Sequence, residues 1–144
     1  MQTRPQQTAT DVGVHLITGA GSGIGAVVAR RLLERGDQVV VLARDAGRAK
    51  EITASLPGST AIVGDLAQPG RLSWAMSKQT ALPERIDSLV HAAGVVDLGS
   101  VGDLPANLWE RQLAVNLVGP AELTRLLLPV LRVFGALLAM FAFA

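Results

Sequence analysis

Apolar and patterned stretches alternate along most of the chain. Val12 to Ile17 (VGVHLI), Gln38 to Ala43 (QVVVLA), Thr60 to Val63 (TAIV) and Ile86 to His91 (IDSLVH) are short, largely apolar and rich in β-branched residues. That is the composition of strands covered on both faces. Between them the spacing becomes helical. Ile24, Val27, Val28 and Leu32 form one apolar row, with Arg30, Arg31, Glu34 and Arg35 largely elsewhere and Gly36 as a stop. Asp45 to Leu56, closed by Pro57-Gly58, predicts a second helix, and Pro69 to Gln79 a third. Such alternation predicts an α/β fold with a doubly wound parallel sheet of about five strands and right-handed crossovers.

Leu104 to Arg132 is the longest helical stretch, and Leu113, Leu117, Ala121, Thr124 and Leu128 supply one of its faces. By local rules Gly119-Pro120 should break it, because proline lacks a backbone donor and clashes with the preceding turn. The end, from Val133 to Ala144, is apolar and uncharged. It is too short to span a bilayer as a helix. The chain therefore divides into a polar leader (1–11), an α/β domain (12–132) and an apolar tail or aberrant fifth strand (133–144).

Composition narrows the function classes. With 144 residues the chain is one domain. Thirteen basic and 12 acidic residues give a net charge of +1, so no field favours nucleic acid or an anionic membrane. There are no cysteines, which removes disulfides and thiolate metal sites and fits a reducing, cytoplasmic setting. The leader lacks the apolar stretch of a secretory signal.

The candidate chemistry begins at Thr18-Gly19-Ala20-Gly21-Ser22-Gly23-Ile24-Gly25 (TGAGSGIG), between the first predicted strand and the first predicted helix. Free N–H groups and the positive end of a helix dipole together make an anion site. Gly19 suits the turn, Gly23 the close approach of phosphates, and Gly25 close packing of helix on sheet. The spacing is G-x-x-x-G-x-G, not the strict dinucleotide pattern. The alternative is a purely structural turn. No Gly-Lys-Ser/Thr is present, which argues against a phosphate-loop NTPase.

These residues resemble the cofactor signature of the short-chain dehydrogenase/reductase family, and further matches follow in the family's order. Asp65-Leu66 resembles the acid that receives the adenine amino group. His91-Ala92-Ala93-Gly94 is similar to the family's Asn-Asn-Ala-Gly element. Asn116 resembles the active-site Asn, with Gly119-Pro120 its common companion in a helix that continues through it. The resemblance implies a Rossmann-like fold that binds NAD(P), and an oxidoreductase moving hydride between cofactor and a carbonyl or alcohol. It also implies a dimer contact through the long helix.

At the end of the second strand an acid selects NAD and an arginine accommodates the 2′-phosphate of NADP. Ala43 stands at the acid position and Arg44 follows, which favours NADP over NAD. Ser22, by contrast, stands where many NADP-linked members carry a second basic residue. The chain has no tyrosine, and its only lysines are Lys50 and Lys78, so the family's Tyr-x-x-x-Lys is missing. Neither does a serine follow the predicted fifth strand. The expectation is a chain cut short before its catalytic residues by a frameshift or early stop, which binds cofactor without turnover. Its sheet edge and long helix would be left to self-associate. A non-catalytic nucleotide-binding or interaction module using the apolar tail is the alternative. His91 is expected to hydrogen-bond loop backbone, His15 to be a satisfied core or surface residue, and Trp74 and Trp109 to be packed.

Overall fold

A computed structural model of the chain describes residues 12–132 and the backbone of a strand at 137–139. The predicted leader and the side chains of the tail lie outside the described residues. Five parallel strands form one sheet: β1 (Val14–Thr18), β2 (Gln38–Ala43), β3 (Thr60–Val63), β4 (Ser88–His91) and β5 (Leu137–Ala139). Their order is β3-β2-β1-β4-β5. The helices are α1 (Gly23–Glu34), α2 (Ala46–Ser55), α3 (Pro69–Ser77), α4 (Ala106–Leu113) and α5 (Gly119–Leu127), with a π-helical segment at Ala114–Val118 joining the last two.

Successive strand residues feed opposite layers, as the twofold strand period requires. Val39, Val41 and Ala43 of β2 join Ile17, Val90, Ala29 and Ile52 in the core beneath α1 and α2. Val40 and Leu42 join Leu16, Leu89, Leu72, Leu123 and Leu127 in the opposite core, beneath α3 and the long helix. Both faces are thus buried, which explains why the strands read as continuous apolar runs.

Two helical rows face differently from expectation. In α1 Val28 and Leu32 pack on the core as expected, beside buried Gly25 and Ala29, while Ile24 and Val27 are exposed. Ala29, small and fully buried, lets the helix approach the sheet closely. In the long helix Val115, Gly119, Leu123 and Leu127 are buried, whereas Leu113, Leu117 and Leu128 lie exposed. Two apolar rows run along this helix, and periodicity alone could not choose between them. Trp74 and Trp109 are also exposed rather than packed.

The break that local rules give at Gly119-Pro120 does not occur, and the helix continues as the resemblance implies. Residues 106–127 run on through the π segment, where the Gly119 N–H donates to the Ala114 carbonyl, five residues back. This wider turn gives the pyrrolidine ring of Pro120 room beside the preceding carbonyls and absorbs its missing donor. Asn116 lies within that segment.

Candidate functional site

Strand order reverses at β1, whose neighbours are β2 and β4. The loops leaving β1 and β4 therefore diverge, opening a crevice at the carboxyl ends of the strands where such folds take ligands. The β1 loop is the glycine turn, and the β4 loop begins at Ala92.

Each glycine in that turn has a distinct geometric demand. Gly19 has φ of 70°, the left-handed region that favours glycine. A Cβ on it would lie 2.5 Å from the Ala93 nitrogen and 2.6 Å from the Ala92 carbonyl. The two loops touch backbone to backbone there. Gly23 also has positive φ (52°), but a Cβ on it would meet nothing within 4 Å. It faces open space at the first residue of α1, where a phosphate would meet free N–H groups. Gly25 serves the turn rather than the sheet, since its Cβ would fall 2.4 Å from the Gly19 carbonyl oxygen. Ser22 is the N-cap residue of α1 by position but makes no side-chain cap bond. The first turn of α1 thus keeps N–H groups available for an anion.

Thr18 is buried, and its Oγ1 accepts hydrogen bonds from the Ala92 and Ala93 N–H groups at 3.2 and 3.1 Å. It ties the two loops together from below and offers no exposed surface to a ligand. Asp65 lies in the loop after β3, where its Oδ1 accepts from the Ala67 N–H at 2.9 Å and its Oδ2 from the Gln68 side-chain amide at 3.2 Å. Leu66 is buried in the core beneath. Arg44 is 73% exposed at the end of β2, and its Nε donates to Asp45 Oδ2 at 3.2 Å. Asp45 also caps α2 through the Arg48 N–H at 2.8 Å, as its position at a helix start predicts.

Asn116 uses its whole amide on one backbone position. Its Oδ1 accepts from the Val95 N–H at 2.9 Å, and its Nδ2 donates to the Val95 carbonyl at 2.8 Å. The long helix thereby fixes the course of residues 92–95 beyond β4.

His91 departs from expectation. Its partner is not loop backbone but Thr124 of α5, with Nε2 2.9 Å from Thr124 Oγ1. The loop N–H groups are already taken by Thr18. Thr124 donates its hydroxyl hydrogen to the Pro120 carbonyl at 2.8 Å. It must therefore accept from His91, so Nε2 carries the proton. The buried Nδ1 has no hydrogen-bond partner. Burial pushes the His91 pKa below the ordinary 6.5. A neutral, buried and tethered imidazole is poorly placed for acid–base work.

Below pH 6.5 an unfolded imidazole takes up a proton that the folded one still refuses, so stability falls as pH drops and levels off below the folded pKa. The urea midpoint of the protein should fall more between pH 7 and pH 5 than that of His91→Asn. Equal pH dependence in the two proteins would contradict this assignment.

His15 is only half satisfied near the opposite end of the sheet: its Nδ1 lies 2.6 Å from Ser88 Oγ, while its buried Nε2, 3.4 Å from Asp37 Oδ2, makes no hydrogen bond. Asp87 accepts from the Val14 N–H at 2.9 Å and pairs with Arg85 and Arg132. Burial opposes its ionisation most strongly, but these partners together hold its carboxyl below the ordinary value. Among the described residues no group of three or more His, Cys, Asp or Glu side chains could hold a metal ion. No described helix is long and apolar enough to cross a membrane.

Comparison with known proteins identifies the family and the fold. The short chain dehydrogenase family profile matches residues 13–136. Short chain dehydrogenase ausX of Emericella nidulans is 35% identical over 130 residues, covering 88% of this chain and 64% of the relative. The Pseudomonas aeruginosa RhlG/NADP complex superposes with a TM-score of 0.67 at 31% identity, over 82% of this chain and 47% of that one. The 3-ketoacyl-(acyl-carrier-protein) reductase of Brucella melitensis, solved with NADH, gives 0.69 at 28% identity, over 82% and 49%. The chain thus spans about half the length of these solved proteins.

Proposed function

The chain belongs to the short-chain dehydrogenase/reductase family, a family that binds NAD(P), and on that premise we propose that it binds NADP(H) across the crevice between β1 and β4. The activity proposed for the whole protein is hydride transfer between NADP(H) and a carbonyl or alcohol. One observation carries the binding reading: Gly23 opens on empty space at the start of α1, while Gly19 and Gly25 are closed by backbone. A cofactor's pyrophosphate fits a cradle that side chains would fill.

The roles of single residues follow from placement. Gly21 to Gly25 would hold the pyrophosphate, Arg44 the 2′-phosphate, and Asp65 with Leu66 the adenine. Ala92 to Gly94 set the wall toward the nicotinamide, held from below by buried Thr18 and backed by buried His91. When bound, the nicotinamide supplies or takes the hydride. Asn116 positions that wall through Val95 and stands for the family's active-site Asn. Arg44 favours NADP, and cytoplasmic residence is part of the same proposal.

No tyrosine stands anywhere in the 144 residues to donate a proton. Pure 144-residue protein should therefore enhance NADPH fluorescence on titration yet reduce no carbonyl substrate. Absence of binding by folded protein at millimolar NADPH would refute the first statement. Carbonyl reduction above the buffer rate would refute the second.

Self-association is supported by the exposed row of Trp109, Leu113, Leu117 and Leu128 on the long helix. Rows of this kind mark association surfaces. Leu113→Glu should lower the mass found by light scattering to that of a monomer, and a wild-type protein already monomeric at high concentration would contradict it.

A further inference from the structure

A phosphate monoester carries a charge of about −1.5 to −2 at neutral pH, more than one guanidinium balances. Arg44 is one cation at the end of β2, and Ser22 brings none from the glycine turn. Arg48 lies at the third position of α2, its N–H held by Asp45 at 2.8 Å. Its side chain turns back over the glycine turn. A Cβ on Gly21 would overlap its Nη2 and lie 3.0 Å from Cζ and 3.2 Å from Nε. The guanidinium thus occupies the side-chain space that Gly21 leaves empty.

Glu51 fixes this placement by accepting from Nη1 at 2.8 Å. Nη2, the atom over Gly21, donates to no acceptor among the described residues, and neither does Nε. The side chain is 39% exposed and the Glu51 side chain 67%. An exposed pair of this kind is weak, so a phosphate can compete for the guanidinium.

We infer that Arg48 is a second cationic contact for the 2′-phosphate of NADP(H), reaching from α2 the place where a basic residue in the turn would otherwise stand. It is a specificity-determining residue, and the inference rests on the NADP reading above. Gly21 has a part in it, because any side chain there displaces the guanidinium.

Dissociation constants for NADPH and NADH, measured by fluorescence on wild type, Arg44→Gln, Arg48→Gln, Arg48→Lys and Gly21→Ala, test it. Arg48→Gln should weaken NADPH about tenfold and leave NADH within about twofold. Arg48→Lys should recover part of the loss, and Gly21→Ala should reduce the preference for NADPH in the same direction. If Arg44→Gln loses that preference and Arg48→Gln keeps it, Arg48 plays no part and the NADP reading stands. Equal weakening of both cofactors by Arg48→Gln would make it a packing residue and overturn the inference. A wild-type protein without preference for NADPH removes the NADP reading, and Arg48 falls with it.

Discussion

Gly19→Ala should abolish useful dinucleotide binding while leaving a folded protein. Two costs coincide at this residue. Its φ of 70° costs an L-residue about 1–2 kcal/mol. Its new Cβ would also overlap the Ala92 carbonyl and the Ala93 nitrogen at 2.5–2.6 Å, backbone that cannot swing aside as a side chain would. Relief requires the β1 and β4 loops to separate, which breaks the two hydrogen bonds to Thr18 and widens the crevice. NADPH affinity should fall about 100-fold or more, equivalent to about 2.7 kcal/mol. The far-ultraviolet circular dichroism should stay near wild type. Binding within threefold of wild type would mean that the turn does not shape the site.

Gly119→Ala should be the most damaging of the conservative helix substitutions. In a free helix this exchange stabilises by up to about 1 kcal/mol. Here the added Cβ would lie 2.4 Å from the Leu66 carbonyl oxygen and 2.9 Å from both the Ala114 carbonyl oxygen and Leu66 Cβ. The long helix touches the loop after β3 at this point, and two of those contacts are backbone. Overpacking typically costs about 1–3 kcal/mol, so the clash outweighs the propensity gain. The thermal midpoint should drop by roughly 4 °C for each kcal/mol lost. NADPH binding should weaken too, because the displaced loop carries Asp65. A midpoint equal to or above wild type would show that the helix does not rest on that loop.

Much of this was legible in the residues because it is local. Turn chemistry marked Gly19 and Gly23, and both have positive φ. The second helix was readable from Asp45 onward, and Asp45 caps it. The parallel sheet and its two covered faces follow from apolar runs separated by helices. What stayed hidden depends on distant partners. The His91 contact crosses 33 residues to Thr124, and no spacing rule links them. Arg48 meets Gly21 only because α1 and α2 lie on the same face of the sheet. The long helix carried two apolar rows, so its buried side was undetermined until packed against Leu66 and Leu72. Its passage through Pro120 depended on a π turn, which has no periodic signature of its own.

Backbone amide chemical shifts recorded during an NADPH titration of the isotope-labelled protein test the central claim most directly. Saturable shifts should concentrate at Gly19 to Gly25, at Arg44 and Asp65, and at Ala92 to Gly94. The α3 amides and the region around His15 should stay still. A folded protein with no saturable shifts in the glycine turn, or with shifts centred elsewhere, would contradict the assignment of this crevice as a dinucleotide site.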